Sequence, residues 1–477
     1  MRYTIIATPS PFTGKPEINL PSVFGWEPGK PFILRIPVTG ERPVTYFAEG
    51  LPDGLILCEN VISGTAPCDG DYEILLTVKN RLGTDAKRIT LEIHPDSVLL
   101  TPLMGFTTWN AFGSDVKQDD LVSIAEKIVS SGISEYGYSY INTDSGWQSP
   151  SYGGKFDAIL PNDKFPDMRA MTDTIHALGL KCGIYSTPML HAWGCPEGID
   201  YLAGCTTGER DVRFSSINTG IGVTHKEKNN AEQWADWGFD YLKYDWSPTD
   251  PVNAELMRKA LRETGRAFGF CATVHAIPGY WEYWSEYCQS YRNGTDSLGF
   301  WGNLKEIYRS VFTFLHCPKK GHFQDLDMLD TGTFKTRFMH RDLTEDEMIF
   351  AYSLRAFFGS PIQISSTLDP LSEFEMSLYC NEEIIALNQD CAFKGIKIVH
   401  GTFEDDFNVF EKETEDGGFA YALFNAGEKN EDYSLSFDTP VALRDPWAKN
   451  NLDENKLHRI SLPPHTVRIL KSPVKAK

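Results

Sequence analysis

The chain has 477 residues, of which 41% are hydrophobic and 23% charged, a composition typical of globular proteins. At roughly 100–200 residues per domain, this length predicts two to four domains. The chain has no basic run that would form the basic face of a nucleic-acid-binding protein, and its formal net charge of −20 also speaks against polyanion partners. The absence of an apolar run of about 18 residues excludes a membrane-spanning helix.

Residues 1–97 consist of short runs in which apolar and polar residues alternate, separated by turn residues. This period of two is typical of strands with one buried face. The runs are FILRIP, VTYFAEG, DYEILLTVKN and AKRITLEIH. They predict a small β-sandwich without chemistry of its own.

From residue 98 to residue 393, strand-like runs alternate with helix-like runs. The strand-like runs include YSYINTDSGW, LKCGIYSTP, FDYLKYDWSP and AFGFCATVHA, and the helix-like runs include MRAMTDTIHALG, NNAEQWADWG and NAELMRKALRETG. This alternation predicts an α/β fold, a parallel sheet closed into a (β/α)8 TIM barrel. After residue 394 the helices disappear. Short strands such as GFAYALFNAG and HTVRILKS predict a C-terminal antiparallel β-domain over 394–477.

Polar and aromatic residues collect at the carboxyl ends of the predicted barrel strands, where barrels of this type place their active sites. They comprise Phe106 and Trp109 after the first strand, Asp144 and Ser145 after the second, Tyr185 at the third, Lys243 and Asp245 at the fourth, His275 after the fifth, Arg292 and Asp296 after the sixth, and Asp327 after the seventh. No HExxH, GxSxG or phosphate-binding glycine loop accompanies them. Paired carboxylates with aromatic rings in a barrel mouth suit glycoside hydrolysis.

Seven motifs occur in an order and at spacings similar to those of glycoside hydrolase family 27. They are LTPLMGFTTWNAFG, YINTDSGWQ, GLKCGIYS, YLKYDW, SYRNGTD, FQDLDMLDTG and RAFFGSPIQIS with the later LNQD. The resemblance covers about residues 99–470. It implies a retaining, exo-acting α-glycosidase, most simply an α-galactosidase. The N-terminal run LPDGLILCENVISGTAPCDGDY resembles the Ig-like modules found beside bacterial glycosidases.

The resemblance implies a role for each matching residue. Asp245 would be the nucleophile that forms a covalent glycosyl-enzyme, and Asp296 the acid/base. Arg292 would bind the sugar 2-position, Lys243 a ring hydroxyl, and Asp144 the 4- and 6-hydroxyls. The remaining substrate-binding positions would be Phe106, Trp109, Ser145, Tyr185, His275 and Asp327.

Departures from the family pattern leave open which sugar the site binds. The family usually has a second aspartate where this chain has Ser145, a tryptophan where it has Phe106, and an aspartate where it has Thr187. α-N-Acetylgalactosaminidase and β-L-arabinopyranosidase are therefore alternatives within the family. A catalytically inactive carbohydrate-binding protein is the alternative from another class. His275 also fits a core or capping role, and Trp147, Trp193 and Trp246 fit either pocket walls or packing.

The implied partner is an oligosaccharide or polysaccharide, with no nucleic acid, membrane, metal or organic cofactor, and homo-oligomerisation is compatible with this interpretation. The N-terminus MRYTIIATPS lacks a signal-peptide pattern, which predicts a cytoplasmic location, or a secreted or periplasmic one if a leader was removed. The ten cysteines contain no CxxC pair, so we expect free thiols, with a Cys195–Cys205 bridge as the less favoured alternative.

Overall fold

The computed structural model describes residues 10–273, 281–313, 315, 319–332, 334–336, 339–340 and 342–477. Its strands and helices are numbered along the whole chain. The N-terminal strands end at Ile93, the first barrel strand begins at Met104, and the first strand of the C-terminal region begins at Lys397. The domain limits at 97/98 and 393/394 stay predictions.

Two sheets in the N-terminal region face each other across a shared apolar core. One has the strand order β2-β9-β8-β5 and the other the order β3-β7-β6, while β1 pairs with β4. Ile74 and Leu91 from the first sheet pack with Phe32 and Ile62 from the second. The strands are β1 (Glu17–Ile18), β2 (Val23–Trp26), β3 (Pro31–Arg35), β4 (Val38–Thr39), β5 (Thr45–Glu49), β6 (Leu55–Cys58), β7 (Val61–Thr65), β8 (Gly70–Asn80) and β9 (Gly83–Ile93).

Eight parallel strands form the central sheet, and their spatial order follows their order along the chain. The first strand also pairs with the last, Gly105 opposite Gln363, and a parallel bridge from Leu329 to Ile364 completes the ring. The predicted barrel is therefore confirmed. Its strands are β10 (Met104–Thr107), β11 (Tyr140–Asn142), β14 (Lys181–Ser186), β19 (Tyr241–Asp245), β20 (Gly269–Thr273), β21 (Ser290–Arg292), β22 (Phe323–Asp325) and β23 (Ile362–Ile364).

Helices follow the barrel strands, and their starts carry the capping residues that satisfy free backbone N–H groups. Asp167 caps α3, Asp250 caps α5 just before Pro251, and Thr344 forms a capping box with Glu347 at α8. The helices are α1 (Trp109–Phe112), α2 (Gln118–Ser130), α3 (Met168–Ala177), α4 (Glu227–Trp237), α5 (Pro251–Arg262), α6 (Trp281–Tyr287), α7 (Trp301–Ser310), α8 (Glu345–Phe357), α9 (Glu373–Tyr379) and α10 (Glu382–Asn388). Within the described ranges, no helix combines the length and apolarity needed to cross a membrane.

Three short hairpins interrupt the alternation of strands and helices after the second and third barrel strands. One follows β11 and two lie between β14 and α4, so the longest insertion stands beside the third strand. The hairpins are β12 (Gln148–Gly153) with β13 (Ala158–Pro161), β15 (His191–Ala192) with β16 (Leu202–Ala203), and β17 (Thr206–Arg210) with β18 (Gly222–His225).

The C-terminal region is antiparallel, as predicted, and packs on the outside of the barrel. Phe424 lies 4.9 Å from Phe350 of α8 between ring centroids, and the Trp447 indole N–H donates to the Ser353 hydroxyl at 2.8 Å. The strands are β24 (Lys397–His400), β25 (Phe407–Glu413), β26 (Phe419–Asn425), β27 (Glu431–Val441), β28 (Arg444–Asp445), β29 (Asn450–Asn451), β30 (Asn455–Leu462) and β31 (Thr466–Ser472).

A buried carboxylate joins the N-terminal region to the barrel. Glu135 lies in the turn before β11 with its side chain 2% exposed, and it pairs with Arg35 at 2.7 Å and Arg42 at 3.3 Å. Oε2 of Glu135, the oxygen that faces Arg42, also accepts the backbone N–H of Val38 at 3.0 Å. Since a carboxylate buried without partners is strongly destabilising, this contact fixes the two regions against each other.

The N-terminal ends of the barrel strands are covered by the same region. Lys181, the first residue of β14, is buried with its ammonium 5.4 Å from the Phe24 ring, 5.6 Å from Trp26 and 5.3 Å from Tyr140. Burial lowers the pKa of Lys181 to about 8. Gly179, two residues after the end of α3, has a φ of +77° and lies against Val61, where a Cβ would come within 2.7 Å. The N-terminal region therefore covers the end of the barrel at which the strands begin.

We expect Glu135→Ala to lower the free energy of unfolding by about 3–5 kcal/mol, because it leaves the Arg35 guanidinium buried without its carboxylate. Denaturant unfolding measures this loss. The matched control is Asp236→Ala, which breaks an exposed pair with Lys155 and should change stability by about 1 kcal/mol or less. Equal losses in both variants would contradict the role given to Glu135.

Candidate active site

A cavity of about 420 Å³ opens at the carboxyl ends of the barrel strands. It brings together eight of the residues that the sequence predicts for the site. These are Trp109, Asp144, Ser145, Tyr185, Lys243, Asp245, Arg292 and Asp296. They come from five different strands or the loops that follow them, as the convergence of parallel strands in a barrel requires.

Asp245 is the last residue of β19, and both of its carboxylate oxygens accept hydrogen bonds. The Tyr185 hydroxyl donates to Oδ2 at 3.2 Å and the Thr273 hydroxyl donates to Oδ1. Lys243 lies two residues earlier on the strand, which places it on the same face because side chains alternate along a strand. The carboxylate is thus oriented by neighbours on both sides.

Lys243 and Asp144 form an ion pair in the wall of the cavity, with 2.7 Å between Nζ and Oδ2. Burial opposes the charge on Lys243, but Asp144, Asp245 and Asp327 outweigh it and hold the pKa of Lys243 above its ordinary value. The second Asp144 oxygen accepts the backbone N–H of Ser145 at 2.7 Å. The pair places one fixed cation beside Asp245.

Arg292 ends β21 and connects two carboxylates. Its Nη2 lies 2.7 Å from Asp296 and 3.6 Å from Asp327, and the guanidinium is 4% exposed. Burial opposes its charge, but Asp327, Asp296 and Asp245 outweigh burial and raise the pKa of Arg292. Asp296 itself is 67% exposed, so its carboxylate is accessible from the open side of the cavity.

Aromatic rings form one side of the cavity. Trp109 and Trp193 both line it, and the indole of Trp109 lies so close to Gly194 that a Cβ there would come within 2.5 Å of the ring. The Ser145 hydroxyl donates to the carbonyl oxygen of Trp193. Ser145 therefore holds the segment that carries Trp193, which comes from the insertion between β14 and α4.

Several predicted residues lie elsewhere. Phe106 is buried and packs edge-on against Phe112 at 6.3 Å, and among the described residues that line the cavity neither it nor Asp327 appears. Asp327 reaches the site through Arg292 and the Ser297 backbone N–H. His275 lies in the stretch 274–280, which is outside the described residues.

The other tryptophans divide between wall and packing. Trp147 is buried and donates to the Tyr185 carbonyl at 2.9 Å, and Trp246 is buried against Trp284 with its N–H donating to Asp250 at 3.2 Å. Trp193 lines the cavity. Cys195 is exposed and Cys205 buried, both with free thiols, so the alternative bridge between them is wrong.

Seven further residues line the cavity outside the set of predicted site residues, and for one of them, Trp193, the sequence is compatible with either a pocket wall or packing. They are Asn110, Trp193, Asn218, Ser247, Ser297, Leu298 and Met328. Asn110 and Ser297 directly follow the predicted residues Trp109 and Asp296, so their positions could have been read from the sequence. Asn218 belongs to the insertion after β14, whose path no local pattern determines.

One group of side chains in the described part of the chain has a spacing that could hold a metal ion. It consists of Asp71, Glu92 and His94 in the N-terminal region, and both ring nitrogens of His94 already contact carboxylates, those of Asp69 and Asp71. It is part of β8, β9 and their flanks rather than of the barrel mouth. That the reaction needs no metal or cofactor stays a prediction.

Known proteins resemble this chain over the barrel and beyond. The family model described as Melibiase_2, alpha galactosidase A, matches residues 101–206 and 210–390. An alpha-galactosidase A of Cellvibrio japonicus is 30% identical over 356 residues, 71% of this chain and 79% of that protein. A probable alpha-galactosidase of Dictyostelium discoideum is 25% identical over 394 residues, 79% of this chain and 93% of that protein.

Solved structures resemble the chain over its full length or over most of it. A Bacteroides fragilis protein described as a candidate alpha-galactosidase/melibiase has a TM-score of 0.85 at 27% identity and covers 97% of this chain and 99% of its own. An α-galactosidase of Mortierella vinacea, with a TM-score of 0.67, 24% identity and coverage of 79% and 98%, shares the fold. The cavity at the barrel mouth, the matched family model and these relatives together establish that the chain belongs to glycoside hydrolase family 27 and is a glycoside hydrolase.

Proposed function

We propose that this chain is a retaining exo-α-galactosidase that releases terminal α-linked galactose from oligosaccharides or polysaccharides. The observation that carries the proposal is the pair of carboxylates, Asp245 and Asp296, in one cavity at the carboxyl ends of β19 and β21. Asp245 is held by Tyr185 and Thr273, whereas Asp296 is accessible and contacts Arg292. One fixed carboxylate and one accessible carboxylate suit a nucleophile and an acid/base.

In the first step, an Asp245 oxygen attacks the anomeric carbon of the sugar while Asp296 gives its proton to the glycosidic oxygen. The bond between the anomeric carbon and the leaving oxygen breaks as the bond to Asp245 forms. The hydrogen bonds from Tyr185 and Thr273 fix the attacking carboxylate, so little motion is needed to reach the reactive geometry.

In the second step, Asp296 takes a proton from water, which attacks the anomeric carbon and releases Asp245. Two inversions at the same carbon give overall retention of configuration. Lys243 and Asp144 present a charged pair to the ring hydroxyls, and Trp109 with Trp193 offers apolar ring faces to the C–H surfaces of the sugar.

Trapping with a fluorinated galactosyl fluoride tests the nucleophile. We expect the intact protein to gain the mass of one fluorogalactosyl residue, located on Asp245 by peptide mapping, because fluorine slows hydrolysis of the intermediate. Asp245→Ala should lose roughly 10⁴-fold or more in kcat, as removal of a nucleophile does in other covalent enzymes. Added azide should restore turnover of this variant with formation of the inverted glycosyl azide.

The control is Asp173→Ala, which removes an exposed carboxylate of α3 and should keep the wild-type rate. Labelling of a residue other than Asp245, or near-wild-type activity of Asp245→Ala, would contradict the proposed mechanism.

A second candidate function, β-L-arabinopyranosidase, is favoured by Ser145. β-L-Arabinopyranose has the ring configuration of α-galactose without the exocyclic CH2OH group. Among the described residues that line the cavity, Ser145 occupies the position beside Asp144, so no second carboxylate stands there to accept the 6-hydroxyl; the Ser145 hydroxyl donates instead to the Trp193 carbonyl. A sugar that lacks this hydroxyl forfeits no hydrogen bond in such a site.

Ser145→Asp should shift selectivity toward galactose. A charged hydrogen bond to the 6-hydroxyl contributes roughly 1.5–3 kcal/mol, so the ratio of kcat/KM for nitrophenyl α-galactoside to that for nitrophenyl β-L-arabinopyranoside should rise about 10- to 150-fold. Ser145→Ala is the control, because it removes the bond to Trp193 without adding a carboxylate. An unchanged ratio in Ser145→Asp would show that this position does not select the sugar.

A further inference from the structure

Every polar group of Ser297, the residue after Asp296, is held by a neighbour. Its backbone N–H donates to Asp327 Oδ2 at 2.8 Å, and its hydroxyl donates to Asp330 Oδ2. Its carbonyl accepts the Asn110 amide at 3.0 Å. The three neighbours come from loops after β10 and β22, so Ser297 is fixed by elements distant in the sequence.

Asn303 on α7 holds the same turn from the other side. Its amide donates to the Asp296 carbonyl at 2.8 Å, and its side-chain oxygen accepts the Leu298 N–H at 2.8 Å. The backbone from Asp296 to Leu298 is therefore tied at each residue, although the Asp296 side chain is two-thirds exposed. The tied backbone fixes the point from which this exposed carboxylate extends toward Arg292.

Asp330 is the buried centre of this arrangement. One of its oxygens accepts the Ser297 hydroxyl and the other accepts the Asn110 amide at 2.6 Å. Burial raises the pKa of Asp330 to about 6, while Ser297, Asn110 and Arg355 oppose the shift and Asp327 adds to it. A single carboxylate thus connects the loops after β10, β21 and β22.

The segment that carries Asp330 is itself anchored. Arg355 on α8 is buried and donates to the carbonyls of Leu326 at 2.9 Å, Asp327 at 3.0 Å and Met328 at 2.5 Å. Asp327 has a φ of +64°, a left-handed conformation that costs about 1 kcal/mol or more outside glycine. The anchor holds this conformation and leaves Asp330 a fixed point from which to bind Ser297.

We propose that Asp330 is a positioning residue for the general acid/base, which it orients through Ser297 and Asn110. This inference rests on the role proposed above for Asp296. An acid must lie within hydrogen-bond reach of the leaving oxygen at the moment the bond breaks, and displacement by about 1 Å can cost 10²-fold in rate. Because the Asp296 side chain is exposed and contacts the protein through Arg292 at 2.7 Å, its orientation depends on that ion pair and on the backbone that Asp330 secures.

Substrates with different leaving groups separate positioning of the acid from general stability. A galactoside of dinitrophenol leaves without protonation, whereas an alkyl galactoside needs the proton from Asp296. For Asp330→Ala we expect kcat/KM to fall roughly 10- to 100-fold with the alkyl galactoside and less than about 3-fold with the dinitrophenyl galactoside. Asp330→Asn should recover part of the loss, because its amide oxygen still accepts the Ser297 hydroxyl.

Leu329→Ala is the matched control. Leu329 is completely buried in the same segment, and its truncation removes packing without removing the tie to Ser297. Any loss that it causes should be equal for both substrates. Equal losses for both substrates in Asp330→Ala would overturn the inference, since they would mean a purely structural role.

Two further variants keep the test decisive. If Asp330→Ala does not fold, Ser297→Ala removes the same hydrogen bond from the other side and should show the same leaving-group dependence. Equal losses for both substrates in Ser297→Ala would likewise overturn the inference. Asp296→Ala, measured alongside, tests the acid/base role itself. If Asp296→Ala shows no leaving-group dependence, the acid/base assignment fails. If Asp296→Ala shows this dependence but the Asp330 and Ser297 variants do not, only the positioning role is refuted.

Discussion

Charge in the barrel mouth has to be compensated by opposite charge, because each ionised group taken out of water costs several kcal/mol unless it is paired. Lys243 pairs with Asp144, and Arg292 lies between Asp296 and Asp327. Each cation therefore neutralises a carboxylate of the barrel mouth in addition to lining the cavity. The ion pairs that compensate these charges also place two cations near Asp245.

The position of Lys243 and Asp245 in the cavity could be predicted because it depends on local rules. Lys243 and Asp245 alternate at the end of an apolar strand, and a barrel turns such a face toward its mouth. Phe106 was misplaced for a physical reason: all four residues of β10 are buried, since parallel barrel strands are covered on both faces, so alternation does not tell the inner face from the outer one. Trp246 could not be assigned from the sequence for a similar reason, since an aromatic residue just after a strand can also pack inward, as Trp246 does against Trp284 of α6.

The network around Asp330 lay beyond the reach of the sequence. Asp330 is 33 residues from Ser297 and 220 from Asn110, and their contacts exist only once three loops meet above the barrel. Local periodicity carries no information about contacts between residues so far apart in the sequence. The insertion after β14 has the same character, and it supplies Trp193 and Asn218 to the cavity. The sequence reveals the polar and charged residues near the strand ends that line the cavity, but it does not reveal the loops that position them.

The packing of the N-terminal region under the barrel has a consequence for modular engineering. Arg35 compensates the charge of Glu135, and the rings of Phe24 and Trp26 lie near the ammonium of Lys181. Excision of the N-terminal region would therefore leave one buried anion and one buried cation of the barrel without these partners. The barrel therefore cannot be transferred to another protein without these contacts. A chimera built at this junction has to transplant both sides together, or replace Glu135 and Lys181 with apolar residues that need no counterpart.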